Sequence, residues 1–337
     1  MFSDCVLLLL ATSVFLNAEG QLVFNTWSFP KATDAAWEKL DKTDSALDAV
    51  EAGGNALEMK ADPATYDSVG WGSHPDEKNQ VTLDALIMDG ASLNSGAVAS
   101  MPKVKKAISV ARMVMEHTQL SMLAGEEAVN FATEMGFSDS DLNSNYSREQ
   151  YTEWKLANCQ PNYWTDVSPN PSLHCGPYTP NNPLTKIEKS RPPVTIDNHD
   201  TLGIIVINSK GKIAAGLTTN GLSHKIPGRV GDAAIVGAGG YAIDGVGASV
   251  ESGDGDTLMR FLPTFQAVNL MQQNYTPEAA VKQALQHVIT TNPKVAVLLL
   301  AVNSSGHIGA SCHGFNKGTY CIRSKDMKTK IVEVDCE

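Results

Sequence analysis

The chain has 337 residues, of which 42% are hydrophobic and 19% charged, which suits one sizeable globular domain or two small ones. Its formal net charge is −11, and acidic and basic residues are interspersed without a basic stripe. Because binding to nucleic acid depends on clustered lysine and arginine, the composition argues against a nucleic-acid partner.

The N-terminus carries an apolar run from Cys5 to Leu16, followed by small and polar residues with Ala18 and Gly20 as candidate cleavage points. The run is too short to cross a bilayer, and no later apolar run reaches that length. The pattern predicts a signal peptide over residues 1–20, with a buried N-terminal helix as the alternative. The mature protein is then expected to be secreted or lysosomal, with no membrane contact.

A secretory compartment favours disulfides. Neither a CxxC motif nor a Cys/His cluster with zinc spacing occurs, so disulfides are favoured over a metal site. Three sequons, which begin at Asn145, Asn274 and Asn303, are possible glycosylation sites. An odd number of cysteines remains after the signal, so at least one is free or pairs between chains: Cys159, Cys175, Cys312, Cys321 and Cys336.

The first 140 residues show regular patterns. The predicted elements are a strand at 22–25, helices at 33–42 and 45–52 that open at capping-type residues, a strand at 81–89, and a helix with Val104, Ile108, Ala111 and Met115 on one face. Regularity then ends from about 138 to 200, where eight of the sixteen prolines lie between Pro161 and Pro193. This composition predicts a long loop that is functional or disordered, with an interdomain linker as the alternative.

Regular structure resumes at residue 201. The predicted elements are strands at 202–208 and 212–219, a glycine-dense stretch at 228–255, a helix through Met259 and Phe261 with Asp256 as cap and Pro263 as a late start or kink, a helix opening at Thr276, strands at 294–303 and 307–312, and short strands at 319–323 and 330–334. Hairpins combined with long helices favour a layered α+β architecture with two packed sheets and helices outside.

The chemistry is expected at His199-Asp200-Thr201, where a strand begins directly after the irregular segment. The Thr201 hydroxyl can attack the Asp200 carbonyl, and water can open the resulting ester to leave a free α-amine. That amine, with a reference pKa of about 7.7–8.0, can act as base for the hydroxyl beside it. Taken alone, the three residues fit an ordinary strand start after a loop better than they fit a nucleophile.

The surrounding motifs resemble the glycosylasparaginase (aspartylglucosaminidase) family of N-terminal nucleophile hydrolases. The resemblance covers essentially the whole mature chain, in order, through NTW (25–27), SALDAVEAG (45–53), TLDALIMDG (82–90), NCQPNYW (158–164), HDTLG (199–203), TTNG (218–221), GRVGD (228–232) and GDGDTLMRFLP (253–263). It implies a four-layer αββα sandwich of the N-terminal nucleophile type. It also implies one domain built from an α chain (21–200) and a β chain (201–337), assembled as a dimer of αβ units without metal or organic cofactor.

The resemblance assigns roles to the residues around the expected cleavage. Thr201 is implied to be the nucleophile and Asp200–Thr201 the processed bond, with His199 and Asp200 assisting proton transfer. Thr219, expected beside the start of the first strand, is implied to help activate the nucleophile. A satisfied strand hydroxyl is the alternative interpretation of Thr219.

Arg229 and Asp232 match the two charges of an aspartate moiety, since a guanidinium can bind its α-carboxylate and a carboxylate its α-ammonium. Glycines 228 and 231 would let the backbone approach the ligand, and Val230 lies within the same GRVGD motif. A surface Arg–Asp pair is the alternative.

The segment Ser252-Gly253-Asp254-Gly255 offers backbone N–H groups for an oxyanion hole or for substrate hydrogen bonds. The family pattern has threonine where this chain has Ser252, so its role is open. Trp27 is a candidate wall of the asparagine pocket, with a core tryptophan as the alternative.

The resemblance further implies two disulfides, Cys159–Cys175 and Cys312–Cys336, and leaves Cys321 unpaired. The expected reaction is hydrolysis of the amide between N-acetylglucosamine and asparagine. An L-asparaginase or isoaspartyl peptidase of the same fold is the nearer alternative, and an unprocessed secreted binding protein the more distant one. The glycine-rich stretch lacks nucleotide-loop spacing, and no G-x-S-x-G elbow is present.

Overall fold

The computed structural model describes residues 20–62, 68–181 and 201–337. The predicted signal peptide up to residue 19 lies outside these ranges, as do His199 and Asp200. Within them, no helix is long and apolar enough to cross a membrane.

The described helices are α1 (Pro30–Thr43), α2 (Ala46–Glu58), α3 (Ala107–His117), α4 (Gly125–Glu134), α5 (Asn145–Leu156), α6 (Gly255–Leu258), α7 (Pro263–Gln272) and α8 (Pro277–Thr291). The strands are β1 (Leu22–Thr26), β2 (Leu83–Asp89), β3 (Ser95–Met101), β4 (Met122–Ala124), β5 (Val167–Ser168), β6 (Thr179–Pro180), β7 (Leu202–Ile207), β8 (Ile213–Thr219), β9 (Gly240–Ile243), β10 (Gly247–Gly253), β11 (Val297–Asn303), β12 (Ile308–His313), β13 (Gly318–Ser324) and β14 (Met327–Val334).

The strands form a mixed sheet of eight, a sheet of four and one short pair. The large sheet has the order β14-β13-β1-β7-β8-β2-β3-β4, and only its β3–β4 pair is parallel among the described strands. The smaller sheet has the order β12-β11-β10-β9 and is antiparallel. The predicted hairpins β7–β8 and β11–β12 are confirmed, and the two predicted short strands near the C-terminus pair with each other as β13–β14. The molecule is thus an α+β fold with a large mixed sheet.

Helices and sheets bury one another's apolar faces. Helices α2 and α3 contact the large sheet, β10 contacts β7 and β8, and α7 and α8 contact the smaller sheet. The strands β7 and β10 come close because Gly203 has no side chain: a Cβ there would lie 2.8 Å from the Cβ of Val250. This close approach brings the start of β7 next to the end of β10.

Local signals explain the helix starts that the sequence predicts correctly. At α2, the Ser45 hydroxyl accepts a hydrogen bond from the Asp48 amide at 3.2 Å. At α8, the Thr276 hydroxyl accepts from the Ala279 amide at 3.3 Å, and Pro277 occupies the first turn. Both predicted disulfides are present, and Cys321 is free and buried.

Two predicted helix starts are wrong. Helix α1 begins at Pro30 instead of Thr33, whose buried hydroxyl donates to the Asn25 side chain and ties the helix to β1. The helix after the glycine-dense stretch begins at Gly255, with Asp254 instead of Asp256 at the N-cap position, and a separate helix begins at Pro263. Proline has no N–H to lose in a first turn, so it starts this second helix without kinking the first.

The predicted loop over 138–200 is wrong in its first part, which contains α5. The hydroxyls of Ser144 and Ser147 form a reciprocal capping box, and the prolines that break regular structure begin only at Pro161. Trp154 anchors this helix: its buried ring stacks on His224 with centroids 4.8 Å apart. Helix α5 is mostly polar, so it lacks the apolar periodicity from which a helix is predicted.

Candidate active site

Thr201 lies at the start of β7 and is fully buried. Its backbone is held on both sides, because its amide donates to the Ser252 hydroxyl at 3.0 Å and its carbonyl accepts from the Thr26 hydroxyl at 2.7 Å. Thr26 also accepts from the Gly203 amide at 2.9 Å. The Thr201 hydroxyl itself has no hydrogen-bond partner among the described residues. The arrangement fixes the backbone and leaves the hydroxyl available for attack.

Ser252 joins two elements that lie far apart in the chain. Its Oγ accepts hydrogen bonds from the Trp27 indole at 2.7 Å and from the Thr201 amide at 3.0 Å. Trp27 is 2% exposed, has a φ of 59°, and packs edge-on against Phe315 with centroids 5.1 Å apart. Trp27 thus orients Ser252, and a serine hydroxyl alone is sufficient for both contacts.

Thr219 lies opposite Thr201 across the β7–β8 hairpin. Leu202 pairs with Thr218, so the register extended by one position places Thr219 beside Thr201, as the sequence predicts. The Thr219 hydroxyl accepts from the Gly221 amide at 2.9 Å and donates to the Ser68 carbonyl at 3.2 Å. The hydroxyl is therefore held in a fixed orientation close to the candidate nucleophile.

Arg229 makes no salt bridge to Asp232, so the alternative of a surface Arg–Asp pair is wrong. Its salt bridge is to Asp256, with Nη2 2.9 Å and Nε 3.3 Å from one carboxylate oxygen, and its Nη1 has no hydrogen-bond partner among the described residues. Gly221, at a φ of +81°, makes room for the guanidinium, since a Cβ there would lie 2.8 Å from Nη1. Asp256 thus orients the guanidinium and leaves one edge of it for a carboxylate ligand.

A second buried cation adds to the positive character of this region. Lys225 Nζ donates to the carbonyls of Asn220 and Thr82, and burial lowers the pKa of the lysine to about 8. Asp84 is buried nearby, and its carboxylate accepts from the amides of Ser100 (2.6 Å) and Gly231 (3.3 Å). Arg229 and Lys225 are thus two buried cations that lie among the carboxylates of Asp84, Asp232 and Asp256.

Asp232 opens the 3-10 turn Asp232–Ala234 and is 1% exposed. Burial raises the pKa of its carboxyl to about 6, although the positive charge of Arg229 opposes the shift. Its Oδ1 lies against Gly255, where an added Cβ would come within 2.0 Å. Only glycine at position 255 therefore permits this placement of the carboxyl group.

The residues of the Ser252–Gly255 segment differ in role: some make structural contacts, and others contact candidate site residues. The Asp254 amide donates to the Ala296 carbonyl at 2.8 Å, and its carboxylate accepts from the Thr257 hydroxyl at 2.7 Å. The Asp254 amide is thus engaged and is not available to an oxyanion. Ser252 touches Thr201, and Gly255 touches Asp232, so this segment connects the two groups of residues.

The structure brings the predicted residues into one region. Thr219, Ser252 and Trp27 lie around Thr201, the candidate nucleophile, and Gly221 links Thr219 to Arg229. Sequence reasoning missed Thr26, Asp256 and Ser68. The first two lie inside motifs that the sequence singled out, so their positions carried a signal, whereas Ser68 contributes through its backbone carbonyl and carried none. Within the described ranges, no cluster of acidic, histidine or cysteine side chains could hold a metal ion.

Comparison with known proteins agrees with this arrangement. The sequence model of the asparaginase family matches residues 6–332. The chain is 47% identical to the N(4)-(beta-N-acetylglucosaminyl)-L-asparaginase of Rattus norvegicus, over 94% of this chain and 92% of that protein. It is 45% identical to the protein of the same name from Mus musculus, over 87% and 84%, and 41% identical to a putative one from Drosophila melanogaster, over 94% and 82%. The chain therefore belongs to the asparaginase family.

Proposed function

We propose that this protein is a glycosylasparaginase, which hydrolyses the amide joining N-acetylglucosamine to the side chain of asparagine. The observation that carries the proposal is the environment of Thr201: a buried threonine at a strand start, fixed through both backbone groups, with a hydroxyl that has no partner among the described residues. The names of the rat and mouse relatives support the substrate class.

Activation begins with self-cleavage between Asp200 and Thr201. The Thr201 oxygen bonds to the Asp200 carbonyl carbon, the carbon–nitrogen bond breaks, and the nitrogen takes a proton. Water then hydrolyses the ester to give the Asp200 carboxylate, the free hydroxyl and an α-amine. Ser252 supports this step because its oxygen accepts from the nitrogen that becomes the amine. His199 and Asp200 are proposed to assist the proton transfers.

The mature site then uses the amine as its base. The neutral amine takes the hydroxyl proton while Oγ attacks the side-chain amide carbon of the substrate. The glycosylamine leaves with a proton, and an aspartyl ester remains on Thr201. Water attacks this ester, releases aspartate and restores the hydroxyl. Ser252, by accepting from the amine, turns the nitrogen lone pair toward Oγ.

Recognition of the aspartate moiety is assigned to two charges. The Nη1 edge of Arg229, with no partner among the described residues, is available to the α-carboxylate, and the Asp232 carboxylate is assigned to the α-ammonium. Thr219, whose hydroxyl is held close to Thr201, is proposed to help activate the nucleophile. Val230, Gly231 and Gly255 shape the pocket around these groups.

The same proposal covers the organisation of the molecule. The α chain (21–200) and β chain (201–337) would form one four-layer αββα domain of the N-terminal nucleophile type. Contacts of α2 and α3 with one sheet, and of α7 and α8 with the other, support this layering. We further propose that the protein carries a signal peptide, is secreted or lysosomal, and assembles as a dimer of αβ units.

Processing is tested by a denaturing gel of the purified protein. Wild type should give two fragments, the smaller with the N-terminal sequence TLGII, whereas Thr201→Ala should stay one chain and hydrolyse nothing. Thr201→Ser keeps a hydroxyl and should still process. An uncut wild-type protein that releases aspartate at full rate would refute the mechanism.

The substrate is tested by comparing N-acetylglucosaminyl-asparagine, free asparagine and a β-aspartyl dipeptide on the processed enzyme. Turnover of the glycosylated substrate should dominate. Dominant turnover of the dipeptide or of free asparagine would instead identify an isoaspartyl peptidase or L-asparaginase, for which the family name leaves room.

A further inference from the structure

Asp232 has a second carboxyl group against it. Glu251, on β10, is fully buried, and its carboxyl group lies against that of Asp232. The backbone brings the two residues together, because the Glu251 amide donates to the Gly239 carbonyl at 3.0 Å and the Gly239 amide donates to the Asp232 carbonyl at 3.2 Å. None of the four carboxyl oxygens has a donor among the described residues. Two carboxylates in contact in a buried site cannot both be ionised, since like charges at this distance strongly raise each other's proton affinity. A hydrogen bond between them therefore requires one shared proton.

The surroundings place that proton on Glu251. Arg229 stabilises the charged form of Asp232. Both burial and the charge of Asp232 raise the pKa of Glu251 well above its ordinary value. Glu251 is consequently the neutral acid that donates, and Asp232 is the carboxylate that accepts.

The geometry of β10 explains why Glu251 reaches Asp232 from the face of the strand that points away from Thr201. Neighbouring residues of a strand point to opposite faces, so Ser252 faces Thr201 while Glu251 faces the other side of β10. Glu251 pairs with Leu299, which belongs to the apolar cluster beneath α7 and α8, and its amide donates to the Gly239 carbonyl at 3.0 Å. Its side chain is thus anchored in the core, away from any ligand.

We propose that Glu251 is a positioning residue that donates a hydrogen bond to Asp232 and so holds the carboxylate assigned to the substrate ammonium. This inference rests on the proposed function. Asp232 is then clamped between the Glu251 acid on one side and the backbone of Gly255 on the other. Glu251 touches neither the substrate nor the reacting atoms, and it acts through Asp232 alone.

The pair also connects substrate binding to pH. The charged groups that influence Asp232 are Arg229, which favours its ionised form, and Asp84 and Asp256, which oppose it. Lys225 lies beside Arg229 and Asp84 and adds a further positive charge. As pH falls through the pKa of Asp232, at about 6, the carboxylate takes up a proton and its attraction for an ammonium is lost.

The test compares Glu251→Gln with Glu251→Leu on the processed enzyme across a range of pH. Glutamine keeps a neutral donor of similar shape, so KM for N-acetylglucosaminyl-asparagine should stay within about threefold of wild type, with the same acid limb. Leucine removes the donor, so KM should rise about tenfold and kcat should change less. Its acid limb should move to higher pH, because a carboxylate that loses a hydrogen bond binds protons more readily.

Two results would overturn the inference. If Glu251→Gln lowers KM and moves the acid limb to lower pH, Glu251 was ionised and repelled Asp232. If both variants only lose thermal stability while KM and the pH profile stay unchanged, Glu251 is merely a core residue. Failure of the proposed function is distinct, since wild type itself would then not hydrolyse this substrate. A double-mutant cycle of Glu251→Leu with Asp232→Asn in thermal unfolding should still show coupling without any substrate.

Discussion

Ser252→Ala removes one oxygen that accepts from two buried donors. The Trp27 indole and the Thr201 nitrogen, at 2.7 and 3.0 Å, would both lose their acceptor. An unsatisfied buried donor costs about 1–3 kcal/mol, so the variant should lose up to about 6 kcal/mol of stability if no water enters. If the cost of about 1–3 kcal/mol at the Thr201 nitrogen also raises the activation free energy, kcat should fall about 5- to 150-fold.

Two measurements separate the effect on processing from the effect on turnover. The fraction of cut chain is followed on a denaturing gel, and the release of N-acetylglucosamine is then measured per cut chain. Ser252→Thr keeps the hydroxyl and should retain both activities to a large extent. Ser249→Ala is the matched control, because Ser249 is a buried serine of the same strand whose hydroxyl donates to the Leu300 carbonyl at 2.7 Å, away from Thr201.

Two results would contradict this role of Ser252. If Ser252→Ala processes and turns over within twofold of wild type, the shared oxygen does not orient the nucleophile. If Ser249→Ala loses as much activity as Ser252→Ala, the loss reflects general damage to β10.

Two further variants test other carboxyl groups. Asp256→Asn should raise KM for the glycosylated substrate by about tenfold with a smaller change in kcat, because Arg229 loses its charged partner; a KM equal to that of wild type would contradict this. Glu58 accepts from the Thr218 hydroxyl, and burial raises the pKa of its carboxyl from 4.5 to about 8, so the folded state holds a proton that the unfolded chain releases. Its contribution to stability is full below pH 4.5 and declines toward pH 8, by at most about 1.4 kcal/mol per pH unit. Glu58→Gln should flatten this decline in thermal unfolding, and an unchanged pH slope would count against it.

Several features of the fold follow from local sequence. The hairpin β7–β8 has continuous apolar strands on either side of a turn, and helix α8 has a capping threonine, a proline in its first turn and an apolar face. These signals depend on residues that are close together in the sequence, so they can be recognised without the tertiary structure. Helix α5 was not predicted, because some of the contacts that stabilise it, such as the stacking of Trp154 on His224, involve a distant segment of the chain.

The sequence by itself determined the candidate nucleophile, since Thr201 stands at a predicted strand start inside a recognisable motif, and it determined which residue types surround it. Only the tertiary structure decided how those residues are connected. Arg229 pairs with Asp256 instead of Asp232, Asp232 meets Glu251, and one serine oxygen joins Trp27 to Thr201 across 225 positions of sequence. The physical reason is that the packing of the two sheets determines which buried polar groups become neighbours. This packing brings strand ends together irrespective of their distance along the chain.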